Sequence, residues 1–454
     1  MKTEEYYSTT NNTIKKDKIW FPAIVAYIIC FGYIFFGRGF AGLHLPGMPI
    51  YIGEILIFIS FIYFFDDFFK KRINWFQKLI MFVIIGFSFL FAKDVILGKH
   101  ELTYIFRDFA TAYYIIFLCL FAGVRGVTIF KKIIEVLSKY HFLIALSLLI
   151  HTSLGPFLSS FLQIGDDYYG IFYMPEGSVP PLAVFLIIIL LEKMDRTKIT
   201  WLEFISIGIS FIAIILTHYR GALIGAMVAL AYYIIFVSKG RIRVLSKLAI
   251  GLCIIAIPTV IYLPSIRDYQ EKIFVNSEYK IVQLYSMHML RAKFKSLIDP
   301  EGIEYKGDTG AGRIMWWKSV VEDNNESIET FLFGKGFGQN LGESINYGKV
   351  TVRGAHNAWV NIYGWAGLSG IILYALAIIG TFCFMLKARK LFNSAEHFNA
   401  KYACNTGLVY LMAVLVSSMF DNSLSSPATA IPLYIYLGCA VSMVFYSSTL
   451  NIQR

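Results

Sequence analysis

Three basic side chains, far apart in the chain, stand in settings where a charged group can do chemistry. Arg220 lies in Thr217-His218-Tyr219-Arg220-Gly221-Ala222, between two apolar stretches. Arg313 closes Gly310-Ala311-Gly312-Arg313. His356-Asn357 precedes Ala358-Trp359-Val360-Asn361-Ile362-Tyr363-Gly364-Trp365-Ala366-Gly367. A guanidinium is a fixed, planar, bidentate donor to phosphate oxygens. An imidazole, with an ordinary pKa of about 6.5, can take up a proton near neutral pH. Each residue also has a structural role open to it. Arg220 can snorkel to lipid headgroups, Arg313 beside Trp316 and Trp317 can form a cation–π contact, and His356 can cap the helix that follows. Arg38, Arg107, Arg353 and Glu54, near the ends of apolar stretches, can either shape a ligand cavity or serve packing and topology. Asp421-Asn422-Ser423 is a candidate acceptor site.

The elements that must position these groups follow from composition. Of 454 residues, 57% are hydrophobic and only 16% charged, against about 25% charged in soluble domains. With a mean hydropathy of +0.61, a water-soluble body, a disordered chain and a small disulfide scaffold are all excluded. The chain reads as an all-α polytopic integral membrane protein. Twelve apolar stretches lie near 19–36, 50–65, 75–92, 108–123, 141–156, 180–193, 201–217, 221–238, 246–263, 366–386, 405–420 and 429–447. At about 1.5 Å per residue, one helix over 201–238 would be nearly twice the hydrocarbon thickness. A tight hairpin with Arg220 at its tip is the better reading.

Basic residues orient the spans, because short cytoplasmic loops hold them in excess. With both termini inside, the cytoplasmic side carries 24 of the 41 basic residues against ten acids. The short outer loops net −3, and the long segment 264–356 holds twelve of each sign. The basic balance is therefore a topology signal and not a sign of nucleic-acid binding. The expected organisation is a cytoplasmic tail (1–18), spans one to nine (19–263), a large outer loop (264–357), spans ten to twelve (358–447) and a second tail (448–454). The first span is expected to be a retained anchor, since no small-residue cleavage site follows it.

The outer loop carries the largest aqueous surface. Three-to-four spacing of apolar residues predicts a helix over 265–299. A polar, glycine-rich passage follows, and a second helix is expected from Arg313 to Asn324 or Asn325. Phe331-Leu332-Phe333-Gly334-Lys335-Gly336-Phe337-Gly338 is expected to be a loop needing close backbone approach or positive φ. It is no nucleotide loop, because no strand precedes it and no Gly-Lys-Ser/Thr follows. The six cysteines fall in spans or on the cytoplasmic side, and the other histidines are scattered singly. No metal or cofactor is expected.

A polar-Arg-Gly-Ala turn, a long outer loop with Arg-x-x-x-Trp, a Gly-x-Gly-x-Gly passage and a His-Asn pair heading a Gly-rich helix occur here in that order. This order resembles the O-antigen ligase / Wzy-type polymerase family, by motif over about 200–370 and by topology over the whole chain. Tyr219 departs from the pattern, where the family often has a small residue such as Ser. The resemblance implies about twelve membrane helices with the large helical loop between spans nine and ten, similar to GT-C-like membrane glycosyltransferases. It also implies an inner (plasma) membrane enzyme that moves a glycan from undecaprenyl diphosphate to an acceptor hydroxyl on the outer face. The acceptor would be a lipid-linked glycan (a polymerase) or lipid A-core (a ligase). His356, Arg313 and Arg220 would be catalytic, and Arg38, Arg107, Arg353, Glu54, Asn357 and Asp421 would bind substrate. Flippase and chain-length regulator proteins would be partners. A transporter or flippase is the rival reading, which an almost uncharged set of span interiors disfavours. A non-catalytic assembly partner is the third.

Overall fold

The computed structural model describes residues 20–44, 50–70, 73–154, 174, 177–194, 200–217, 220–237, 310–342, 353–392 and 398–451. The expected span at 246–263 and the expected helix over 265–299 lie outside the described residues. Among the described residues there are helices and connections but no β-strand. Five helices are long and apolar enough to cross a membrane, six if one bent pair is a single span. The described residues are those of a helical, polytopic membrane protein.

The first apolar stretch is α1 (Trp20–Phe36), which passes into a π-helical turn from Ile28 onward. The freed Phe35 carbonyl accepts from His151 Nε2 at 2.7 Å. Gly37 (φ 64°) then turns the chain into the short α2 (Arg38–Ala41), which leads to α3 (Ile52–Lys70). Next comes α4 (Trp75–Leu97), opened by a reciprocal Asn74/Gln77 capping box and closed by Gly98 in the left-handed region, two standard ways of satisfying orphan helix-end groups. The fourth stretch is a pair, α5 (Leu102–Tyr113) and α6 (Ile115–Phe121), bent by 42°. At the fifth stretch, α7 (Gly126–Ser153) starts well before the expected span at 141. Its basic N-terminal part, with Lys131, Lys132 and Lys139, is also helical, and Tyr140 (φ −112°, ψ 18°) breaks it at the expected boundary. A charged helical end extends beyond a span at no backbone cost, so charge alone did not stop the helix.

The chain continues through α8 (Val179–Met194), α9 (Trp201–Leu216) and α10 (Arg220–Tyr232, with a π-helical end to Val237). The expected break between these two helices is present: Thr217 ends one and Arg220 opens the next. After the long segment come α11 (Gly310–Asn324) and α12 (Ile328–Phe333), then α13 (Ala358–Leu391), α14 (Phe398–Ser418) and α15 (Pro427–Asn451). The last of these is buried along nearly its whole length, as a helix apolar on every side must be.

Two local expectations are corrected here. The helix α11 begins at Gly310, one turn before Arg313, and the expected loop 331–338 starts as helix through Phe333, capped by Ser327. From Gly334 the expectation of positive φ holds, at 70°, 98° and 93° for Gly334, Gly336 and Gly338.

The reason lies in α13. Gly367 (φ 61°) breaks that helix, which leaves carbonyls of the preceding turn without intrahelical donors. Lys335 N–H and Gly336 N–H donate to Gly364 O (2.9 Å) and Trp365 O (3.0 Å). Phe337 N–H donates to Asp94 Oδ2 at 2.7 Å. Side chains at the glycine positions would collide with these partners. The Gly334→Ala variant would place a Cβ 2.3 Å from the Trp365 carbonyl carbon on a backbone that only glycine adopts without strain. We expect it to lose at least about 2 kcal/mol, read as a lower unfolding temperature of the purified protein. Gly98→Ala, at φ +60° in open space, should cost only about 1 kcal/mol. Equal effects would refute the close-approach account.

Candidate functional site

The site is assembled on α11. Arg313, Trp316, Trp317 and Val320 recur at three-to-four spacing and so share one face. Arg313 Nη1 donates to the Phe420 carbonyl at 2.7 Å. Trp317 Nε1 donates to Ala355 O at 2.8 Å, and the Trp316 ring meets His356 edge-on with centroids 5.9 Å apart. One helix thus fixes the residue before His356, packs the imidazole and reaches the turn between α14 and α15.

His356 is the only non-glycine residue with positive φ (48°) among the described residues. Its half-buried side chain therefore leaves the backbone in an uncommon direction. The capping role belongs to its neighbour: Asn357 Oδ1 accepts from Trp359 N–H (3.0 Å) and Val360 N–H (3.2 Å) at the start of α13. Asn357 is thus a helix cap. Asn361, to which the sequence assigned no role, ties this corner to the opposite turn. Its Oδ1 accepts from Ala355 N–H (2.7 Å), and its Nδ2 donates to Asn422 Oδ1 (2.8 Å). A lone amide in an apolar run was the one signal that could have found it.

Asp421 lies in that opposite turn, half-buried, with Oδ1 accepting from Asn422 N–H at 2.7 Å. Burial pushes its carboxyl above the ordinary range. The Asn422 N–H and the charges of His356, Arg313 and Arg38 oppose that rise. Those charges come from α2, α11 and the head of α13, so one cluster joins four separate parts of the chain. Gly177 packs so closely on it that a Cβ there would sit 1.9 Å from Asp421 Oδ2. Arg220 enters through its backbone. It opens α10, and the next residue, Gly221, lies against Phe420, where a Cβ would come within 2.2 Å of the Phe420 Cβ. The residue whose carbonyl holds Arg313 is thus the one that Gly221 abuts.

Other expected site residues serve elsewhere. Arg353 Nη2 donates to Gly338 O at 2.6 Å, lies 3.7 Å from Asp108 Oδ2 and covers the Tyr104 ring; it clamps the glycine passage to α5. Arg107 is exposed on α5 beside that same Asp108. Glu54 Oε2 accepts from Tyr51 N–H at 2.9 Å, and its Oε1 accepts from the Tyr113 and Tyr114 hydroxyls. Asp94, which the sequence reading passed over, anchors Phe337 from within α4. A single acid in an apolar helix was its signal.

Residues 205–375 match the family model described as O-antigen ligase, Wzy_C. Within those bounds, well under half of the chain, the sequence is similar to that family. The similarity supports a membrane enzyme of the O-antigen ligase/polymerase type, glycosyltransferase-like and acting on glycans. Against the curated proteins the chain has no match. The O-antigen ligase domain includes Arg220, Arg313, Arg353, His356 and Asn357, while Arg38, Glu54, Arg107 and Asp421 lie outside its bounds. The cluster at Asp421 is therefore completed by residues beyond the matched domain.

The raised Asp421 carboxyl has a consequence for stability. The folded state holds that proton more tightly than the unfolded chain does. Stability is therefore highest below the ordinary carboxylate value, about 3.9, and falls as pH climbs toward the raised folded value. In Asp421→Asn this component should vanish. Unfolding temperatures measured from acid to neutral pH should fall more steeply in the wild type than in the variant. Parallel curves would remove burial as the dominant influence on Asp421.

Proposed function

We propose that the protein transfers a glycan from undecaprenyl diphosphate to an acceptor hydroxyl on the outer face of the plasma membrane, as a surface-polysaccharide polymerase. The observation that carries this reading is the gathering of Arg313, Arg38 and His356 around Asp421, with Arg220 opening the helix whose Gly221 lies against Phe420. A lipid-linked donor presents a diphosphate at the membrane surface, and guanidinium forks suit its oxygens. Arg313 and Arg220 stabilise the charge that develops on the departing diphosphate.

The acceptor oxygen attacks the anomeric carbon as the bond from that carbon to the diphosphate oxygen breaks. The diphosphate leaves with the electron pair, and His356 takes the acceptor proton. The Asp421 carboxylate favours the imidazolium so formed. Attack opposite the leaving group inverts the anomeric carbon. The step consumes no nucleotide and, with the guanidinium charges in place, needs no metal. The acceptor in this reading is a second lipid-linked glycan, with a flippase and a chain-length regulator as partners. A ligase that uses lipid A-core as acceptor is the second reading, favoured by the family model's own description. The donor half is the same in both.

The test is reconstituted transfer with purified protein, a polyprenyl-diphosphate glycan and no nucleotide or divalent metal, reading product size and anomeric configuration. Polymer with inverted linkages is expected. Single-block transfer to lipid A-core would select the ligase. His356→Ala and Arg313→Ala should insert normally yet lose at least about a hundredfold in rate, and Arg220→Lys should also impair transfer because a point charge cannot replace the fork. Full activity in His356→Ala would refute its role as base.

A further inference from the structure

A cavity lies further along α11 from Arg313. Val320, Asp323 and Asn324 from the last turns of α11 line it together with Lys335, Gln339, Asn340 and Leu341, around a space of about 260 Å³. These α11 positions follow Arg313 by seven to eleven residues, hence by about 10–16 Å along the axis at about 1.5 Å per residue.

The walls are held from behind. Trp316 Nε1 donates to Leu341 O at 2.7 Å, and Trp365 Nε1 donates to Gln339 O at 3.0 Å. Both indoles are buried. Leu341 N–H donates to Arg353 O at 3.0 Å, and the Lys335 ammonium lies 3.2 Å from the Asp323 carboxylate. Asn324 is wholly buried and gives its Nδ2 to the carbonyls of Tyr363 and Gly364, which fixes the orientation of the amide. Its Oδ1 has no hydrogen-bond partner among the described residues. Such a buried acceptor calls for a ligand or water close by.

The lining identifies the chemistry. One carboxylate, one ammonium and three amides offer donors and acceptors without net charge, while Val320 and Leu341 add apolar surface. A phosphate site would need an excess of cations, and a lipid tail would need a mostly apolar wall. A neutral sugar has this same mixture, with hydroxyls that both donate and accept around apolar C–H faces. We propose that the cavity is a sugar subsite. It binds a ring of one reacting glycan some distance from the anomeric carbon, and this rests on the reading that Arg313 meets the diphosphate. Because its walls are already tied down, little ordering cost falls on binding.

The test uses the full-length protein in detergent and two probes, measured by calorimetric titration. One probe is undecaprenyl diphosphate without sugar; the other is the oligosaccharide released from the donor by mild acid. Gln339→Ala and Asp323→Ala should each weaken the oligosaccharide by about tenfold and leave undecaprenyl diphosphate binding unchanged. If Gln339→Ala does not fold, Gln339→Glu, which keeps the shape and loses the amide donor, carries the same test. Failure of the wild type to bind the oligosaccharide, or equal affinity in wild type and both variants, overturns the subsite. Loss of undecaprenyl diphosphate binding alone, with oligosaccharide binding intact and sensitive to the variants, overturns the diphosphate reading and upholds the subsite. In reconstituted transfer, a raised KM for the donor alone or for the acceptor alone tells which glycan occupies it.

Discussion

A carboxylate partly withdrawn from water in the turn between two membrane helices must be compensated, and the way Asp421 is compensated organises the candidate site. Desolvation disfavours its charge, and cations from α2, from α11 and from the head of α13 act against that penalty. None of these elements is near Asp421 in sequence. Each brings a positive group to the turn after α14, where Asn361 and Asn422 cross-link the backbone on the other side. Charge that gathers around one half-buried acid is also charge placed to meet an anion, which is what the proposed reaction asks of the same residues. The backbone agrees: His356 holds an uncommon positive φ because Asn357 must cap α13 while Ala355 is fixed by Trp317 and Asn361.

The segment that delivers Arg313 stays in place because α13 is broken. A continuous helix would satisfy its own carbonyls. The break at Gly367 leaves acceptors that the glycine passage fills, and Asp94 and Arg353 hold the same passage from α4 and from the Asp108 side of α5. Glycines at 334, 336 and 338 permit an approach that any side chain would block. The passage therefore acts as a joint between the cap of the molecule and its helical bundle. The polar cavity beside it is walled by two indole-anchored carbonyls of the same passage.

Several features were legible in the residues alone. The hairpin at Arg220 followed from the length of a membrane crossing, and the positive φ at three glycines followed from their crowding among aromatics. Helix ends were less legible. The residues ahead of Tyr140 are charged and still helical, and α13 starts eight residues before its apolar stretch was expected to begin. Hydropathy marks where lipid is, whereas a helix ends where its caps and tertiary contacts end it. Arg353, near the end of an apolar stretch, and Asn357, beside His356, read as substrate-binding candidates. What the structure adds is a packing role for each: one clamps the glycine passage and the other caps α13.

By itself the sequence determined that this chain lives in a membrane as a set of helices, and it singled out Arg220, Arg313 and His356 as candidates for chemistry, since hydropathy and side-chain type are properties of residues taken singly or in short runs. Only the tertiary structure decided that Arg38 and Asp421 join Arg313 and His356, that Arg353 holds the glycine passage while Asn357 caps α13, and that a neutral polar cavity sits further along α11. Those facts depend on which distant backbone carbonyl or carboxylate a side chain meets, and such partners are selected by packing across hundreds of residues that no local pattern encodes.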